Sequence, residues 1–252
     1  MIPDPIPAAT LILMRDGPLP GAPPEILMVE RGRTLAFLGG AMVFPGGRVD
    51  PGDHALVTAS ATDPEDAAAR IAAIRETIEE VGLAVGLTPH PDPTALARLR
   101  DAMAAGQPFA SVLEAEGLRV DPAALTPFAR WCPEHVPVRR FDARFYLAAL
   151  PRAEAMPVID GSETVRAEWL TAAEALAQAD RGAIRIIFPT RRTLERLAQY
   201  PDFTTAMADA RAWPIRRITP FRAERDGVPC ICIPDDMGYP VTAQPVASAE
   251  RG

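Results

Sequence analysis

Ile71, Ile74, Ile78 and Val81 recur three or four residues apart and line up as one apolar stripe of a helix. At about 100° per residue, Glu76, Glu79 and Glu80 leave that helix from nearly the opposite side. Asp63-Pro64-Glu65 supplies an N-cap, a first-turn proline and early acidic charge, and Gly82 supplies the stop. Elsewhere the pattern is that of strands: residues 8–14, then a turn over 17–24, then 25–30, with a short strand at 42–44. Further strands are predicted at 125–131, 141–147 and 165–170. Helical spacing returns at 94–105 and 109–116, closed by Gly106 and Gly117, and in a helix opened by Thr171-Ala-Ala-Glu174. It returns again at 191–200 and 203–212. A hairpin around Asp226-Gly227 is expected to join 218–224 to 229–233, and 241–252 reads as a poorly ordered tail. No repeat or linker divides the chain, so the expectation is one elaborated domain of mixed α and β structure over residues 1–252.

Composition narrows the chemistry. A length of 252 residues and a hydrophobic share of 48% allow an ample core. The net charge of −7 argues against a general polyanion-binding surface, so no nucleic-acid partner is expected. All 26 basic residues are arginine, which excludes both a Schiff-base lysine and a phosphate-loop lysine. Cys132, Cys230 and Cys232 are too few for a disulfide framework and suit a reducing compartment. A zinc site built from Cys132, His135, Cys230 and Cys232 would have atypical spacing, so packing cysteines are the better reading. Nothing near Met1 reads as a signal peptide and no run approaches a membrane span. A soluble, cytoplasmic protein with no membrane partner is expected.

Glutamates at such spacings repel one another unless a cation intervenes, and hard oxygen donors held this way suit Mg²⁺ or Mn²⁺. On its own the cluster is better read as a solvated acidic face on an ordinary helix. Upstream, Phe44-Pro45-Gly46-Gly47 forms a turn whose glycines let backbone approach a ligand closely.

Together these segments resemble the Nudix hydrolase signature: glycine, five residues, glutamate, seven residues, Arg-Glu, two residues, Glu-Glu, one residue and glycine. Its second half matches from Arg75 to Gly82, with Thr77 where an aliphatic residue is usual. The first half departs. The arginine expected at position 61, fourteen after Gly47, stands at 75, so fourteen residues are inserted within 48–64. That insert, with Asp50-Pro-Gly-Asp53 near its start, reads as a turn-rich surface excursion. Counted back from Arg75, the glutamate's place falls on Ala67, with Glu65 or Asp66 as stand-ins.

The resemblance implies an α/β/α sandwich (an α/β, or α+β, fold with a mixed sheet) with a core over about 8–180. It leaves a helical insertion over about 92–117 and C-terminal helices and a hairpin over about 188–234 as additions. It implies hydrolysis of a diphosphate in a nucleoside diphosphate linked to some group X, a small-molecule substrate. Glu76, Glu79, Glu80 and the Gly46 carbonyl would hold Mg²⁺ or Mn²⁺, with Glu76 the alternative proton acceptor and Arg75 orienting the carboxylates. A loop glutamate before Trp169, Glu163, would be a further ligand or the general base, with Asp160 in reserve. Gly47, Arg31 and Arg140 would contact substrate. Arg31 and Gly40 occupy two places of a signature found in coenzyme A-hydrolysing members, while Gly32 and Ala36 stand where its serine and second arginine belong. Arg139-Arg140-Phe141-Asp142 resembles a segment of long bacterial and peroxisomal members, the plain alternative being a solvated arginine pair with Asp142 as an exposed partner. Coenzyme A or acyl-CoA therefore leads, ahead of ADP-ribose, NADH and nucleotide sugars, with a catalytically lapsed binding module as the other class. For the inserted helices, a lid, a homodimer contact and plain packing stay open.

Overall fold

The structure is a computed structural model and describes residues 4–33, 38–133, 140–154, 156–159, 161 and 163–249. In chain order come strands β1 (Ile6–Arg15), β2 (Glu25–Arg31), β3 (Met42–Val43) and β4 (Gly46–Arg48), then helices α1 (Pro51–Ala55) and α2 (Pro64–Val81). Next come β5 (Leu87–Thr88), α3 (Pro93–Ala104), α4 (Phe109–Ala115) and β6 (Arg119–Val120). Strands β7 (Thr126–Trp131), β8 (Phe141–Ala149) and β9 (Thr164–Thr171) lead to helices α5 (Ala172–Asp180), α6 (Phe188–Leu197) and α7 (Phe203–Ala212). The chain closes with β10 (Arg217–Ile218), β11 (Phe221–Arg225), β12 (Val228–Cys232), β13 (Ala243–Pro245) and α8 (Val246–Ala249).

β1 is the axis of a mixed sheet ordered β10-β7-β8-β1-β2-β3. Along one edge β1 pairs in parallel with β8, from Ile6 to Met14. Its other edge is shared: β2 takes Met14 and Arg15, and β4 takes Ala8 to Thr10. Between those contacts the chain departs from β1, and the opening places the glycines of β4 beside α2.

Alternation along β1 sends its side chains to two cores. Ala9, Leu11 and Leu13 join Ile71, Ile74, Ile78 and Val81 of α2, with Leu99, Phe109 and Leu113 from α3 and α4. Ile12 and Met14 join Phe128, Trp131 and Leu147 against Ala175, Leu194, Leu197 and Ala206 of α5, α6 and α7. Helices thus cover both faces, as in an α/β/α sandwich. Each fully buried Leu, Ile or Phe contributes roughly 1.5–3 kcal/mol, so the two layers supply the burial that fixes α2 against β1.

α2 begins where expected: the Asp63 side chain accepts the Asp66 N–H at 3.0 Å, and Pro64 opens the first turn. It ends at Gly82 in the left-handed conformation, φ 62°. Thr77, at the usually aliphatic position, is fully buried and satisfies its hydroxyl on the Ala73 carbonyl at 2.7 Å.

Two expectations are corrected. The insert is a surface excursion only in part: residues 58–60 and 62–65 are exposed, but α1 packs on α2, Asp53 is buried, and Val49, Leu56 and Val57 pack against the α2 core. The C-terminal stretch is not an unstructured tail up to residue 249. β13 adds to the hairpin by pairing Ala243 with Cys232 and Pro245 with Cys230, so an open strand edge captures it. The hairpin itself pairs Phe221 with Cys232 and Arg225 with Val228, around Asp226-Gly227 as expected. Cys132, Cys230 and Cys232 are free and buried; His135 lies outside the described residues.

Candidate active site

The last two turns of α2 carry the site. Glu80 is almost wholly buried, Glu76 is largely covered, and Glu79 is the most open of the three. The face is therefore not a solvated one. Burial pushes the Glu76 carboxyl up to about 7, with the Glu79 charge adding to it and Arg75 opposing. Burial likewise pushes Glu80 up to about 8, with the charges of Glu76 and Glu163 adding and the Gly46 N–H and Arg31 opposing. Glu79 is raised too, chiefly by burial.

The glycine turn lies directly on this cluster. The Gly46 N–H donates to Glu80 Oε2 at 3.0 Å. A side chain at Gly47 would collide with the Glu76 carboxyl group, and one at Gly46 with the Ala9 carbonyl, where φ is +151°. Both glycines are required by close approach.

Arg75 is the organiser. Nη1 donates to Glu76 Oε1 at 2.9 Å and to Glu79 Oε2 at 3.4 Å, and Nη2 donates to the Arg48 carbonyl at 3.0 Å. The remaining face takes Asp53 in a bidentate grip, Nε to Oδ1 at 2.9 Å and Nη2 to Oδ2 at 3.0 Å. Burial opposes the arginine's charge, but Asp53, Glu76 and Glu79 outweigh it and hold the guanidinium protonated. Asp53 in turn takes the Asp50 N–H at 2.8 Å, which locks the start of α1.

Asp53 is the residue that sequence reasoning missed. The signal was present: counted forward from Gly47, five residues lead to Asp53, the place of the signature glutamate. The fourteen extra residues lie between that acid and Arg75, not before it. Neither stand-in for Ala67 reaches the cluster. Asp66 is held by Arg70 at 2.6 Å, Tyr146 at 2.9 Å and Arg144 at 3.1 Å. Glu65 is exposed, 3.9 Å from His54.

Arg31, at the end of β2, stands 3.8 Å from Glu80. Glu163 is exposed, yet its charge is felt by both Glu79 and Glu80, and its carbonyl accepts the Gly32 N–H at 2.8 Å. Asp160 and Ala36 lie outside the described residues. The Arg140 carbonyl takes the Ile6 N–H at the start of β8, on the edge of β1 opposite β4. Asp142 is not an exposed partner of an arginine pair: it is buried, with Arg130 at 2.7 Å and Arg217 at 2.6 Å.

Among the described residues no group of three or more His, Cys, Asp or Glu forms a ready metal cage. The donor set nevertheless fits Mg²⁺ or Mn²⁺. Such ions keep several waters and bind through one or two carboxylates plus substrate phosphates, and here Arg75 and Arg31 offset only part of the cost of burying Glu76 and Glu80 as charges. No helix among the described residues is long and apolar enough to cross a membrane.

No family model matches the chain. It is 29% identical over 186 residues to a Caenorhabditis elegans protein named "Putative nudix hydrolase 7", an alignment covering 71% of this chain and 57% of that relative. The chain thus spans little more than half the length of this curated relative. Among solved structures it resembles a NUDIX hydrolase from Alicyclobacillus acidocaldarius, with 29% identity and a TM-score of 0.71 over 82% of this chain and 97% of that one. With the signature helix, its glycine turn and this likeness in hand, the chain is similar to members of the Nudix hydrolase superfamily.

Proposed function

We propose that this protein is a metal-dependent hydrolase of the diphosphate bond in a nucleoside diphosphate linked to X. The observation that carries the reading is the carboxylate cluster of Glu76, Glu79 and Glu80, gripped by Arg75 and faced by the Gly46-Gly47 backbone. Glu79 and Glu80, with the Gly46 carbonyl, are the groups for Mg²⁺ or Mn²⁺, and Glu76 either joins them or takes the proton of water. When bound, the metal would neutralise phosphate oxygens and lower the pKa of a coordinated water. The chain's own part is to hold the carboxylates apart and fixed: Arg75 aims Glu76 and Glu79, while the Gly46 N–H aims Glu80. Glu163, whose charge reaches Glu79 and Glu80 from across the opening, is the further ligand or base. One elaborated domain carries this site.

For the substrate we favour coenzyme A or an acyl-CoA over ADP-ribose, NADH or nucleotide sugars. Arg31 supports this: it occupies the first arginine place of the coenzyme A signature and stands beside Glu80, where it can meet a phosphate oxygen. Gly47 would meet substrate through its backbone alone, since the Glu76 carboxyl fills its side-chain position, and Arg140 would contact another part of the substrate. The lapsed-module reading loses its main motive, because Asp53 supplies the acid that Ala67 lacks.

The test is product analysis on coenzyme A, acyl-CoA, NADH, ADP-ribose and nucleotide sugars with Mg²⁺ or Mn²⁺, beside Glu80→Gln. Cleavage of one substrate that vanishes in the variant and in chelator is the expected result. Activity that survives Glu80→Gln would overturn the assignment of the site.

A further inference from the structure

α2 has to end in an awkward way. Its last carbonyls have no partners within the helix, its three site carboxylates crowd the negative end of the helix dipole, and its last turn contains no basic residue of its own. Gly82 N–H takes the Ile78 carbonyl at 3.0 Å, and the Val158 N–H takes that of Val81 at 2.8 Å. The carbonyl of Glu79 itself is taken from the inserted helices: Arg100 Nη2, on α3, donates to it at 3.1 Å.

Gly82 makes this approach feasible. Its φ of +62° already favours glycine, and a Cβ there would lie 2.8 Å from Arg100 Nη1 and 3.0 Å from Cζ. The guanidinium therefore lies close against the helix terminus, and a side chain at position 82 would have to displace it. α3 is anchored well enough to act as a fixed post. Leu99 and Met103 enter the α2 core and hold α3 there, whereas the exposed Arg98–Glu116 pair, with bonds of 2.9 and 2.6 Å, adds little to that anchorage.

We propose that Arg100 is a positioning residue: it caps the Glu79 carbonyl, offsets the dipole at the end of α2, and so sets the turn from which Glu79 and Glu80 project. The helical insertion is then a clamp on the site helix, neither a lid nor mere packing. Its catalytic consequence rests on the hydrolase reading above; its structural part does not.

The full chain is compared with Arg100→Ala, Arg100→Lys and Arg98→Ala, the last breaking an insertion contact that does not touch α2. Backbone hydrogen exchange over residues 77–82 is measured together with Mn²⁺ binding by electron paramagnetic resonance and with kcat and KM on the cleaved substrate. Arg100→Ala is expected to speed exchange in that turn about tenfold and to lower kcat about tenfold with KM within about twofold, the scale of a lost supporting contact. Arg100→Lys, which keeps the charge but not the planar fork, recovers part of both, and Arg98→Ala changes neither. Unchanged exchange in Arg100→Ala overturns the proposal, and so does a drop in melting temperature with kcat intact. If the wild type cleaves nothing, the hydrolase reading fails alone: faster exchange and weaker Mn²⁺ binding in Arg100→Ala still support the clamp, and their absence still sinks it.

Discussion

Asp53 and Arg75 stand twenty-two residues apart in sequence and meet through two hydrogen bonds, at 2.9 and 3.0 Å, in a buried pair. Everything that Arg75 does for Glu76 and Glu79 depends on a guanidinium held in one plane, and Asp53 holds that plane. Asp53→Asn removes the charge and one acceptor while leaving Arg75 buried. Breaking a buried pair costs about 3 kcal/mol, so the urea midpoint should fall measurably. kcat should fall further than folding alone explains, since the carboxylates lose their aim. A variant with wild-type kcat would show that Arg75 orients the carboxylates without help.

The raised pKa values of Glu76 and Glu80 set the sign of a pH effect. In the folded metal-free protein these carboxyls hold their protons up to about 7 and about 8. An unfolded glutamate releases its proton near 4.3. Between those limits the folded state binds more protons than the unfolded state, so stability falls as pH rises. In chelator, melting temperature should therefore drop from about pH 5 to pH 8, and Glu80→Gln should flatten the slope. Mn²⁺ should restore stability most at the alkaline end. A wild-type profile that is flat in chelator would contradict this account of the cluster.

Gly47→Ala separates site from fold. The added methyl meets the Glu76 carboxyl, whose 2.9 Å bond to Arg75 must then give way. The backbone of Gly47 is ordinary extended strand in register with Ala9, so the fold has little reason to fail. The expectation is a loss of kcat of about a hundredfold, as for a misplaced reacting group, with melting temperature nearly unchanged. Equal losses of activity and stability would mean that the glycine serves β4 and not Glu76.

Asp66→Asn tests which acid completes the motif. Asp66 bonds Arg70 within α2 and ties the helix to Arg144 and Tyr146 of β8, and those bonds hold its carboxyl below the ordinary range despite burial. Losing the charge should cost about 1–3 kcal/mol of stability. Mn²⁺ affinity and kcat should stay within about twofold of wild type, unlike Asp53→Asn. Loss of Mn²⁺ binding in Asp66→Asn would return Asp66 to the site.

The sequence by itself determined the elements whose cause is local. The stripe Ile71, Ile74, Ile78 and Val81, the Asp63 cap and the Gly82 stop specify α2, because helical period and capping act within a few residues. Alternation specified β1, β2, β8 and β9, and the grouping of Glu76, Glu79 and Glu80 follows from helix geometry alone. Contacts between distant segments are a different matter. Whether those glutamates were wet or buried depended on β4 lying over them, which periodicity does not encode. Reading the motif backward from Arg75 pointed to Ala67; only the folding of α1 onto α2 put Asp53 on the guanidinium, across an insert whose length the pattern leaves free. Arg100 was an ordinary residue of an added helix until α3 packed beside Gly82. Local propensity chooses helix or strand over a handful of residues, whereas the partner of a buried charge is chosen by whichever distant segment the core brings to it.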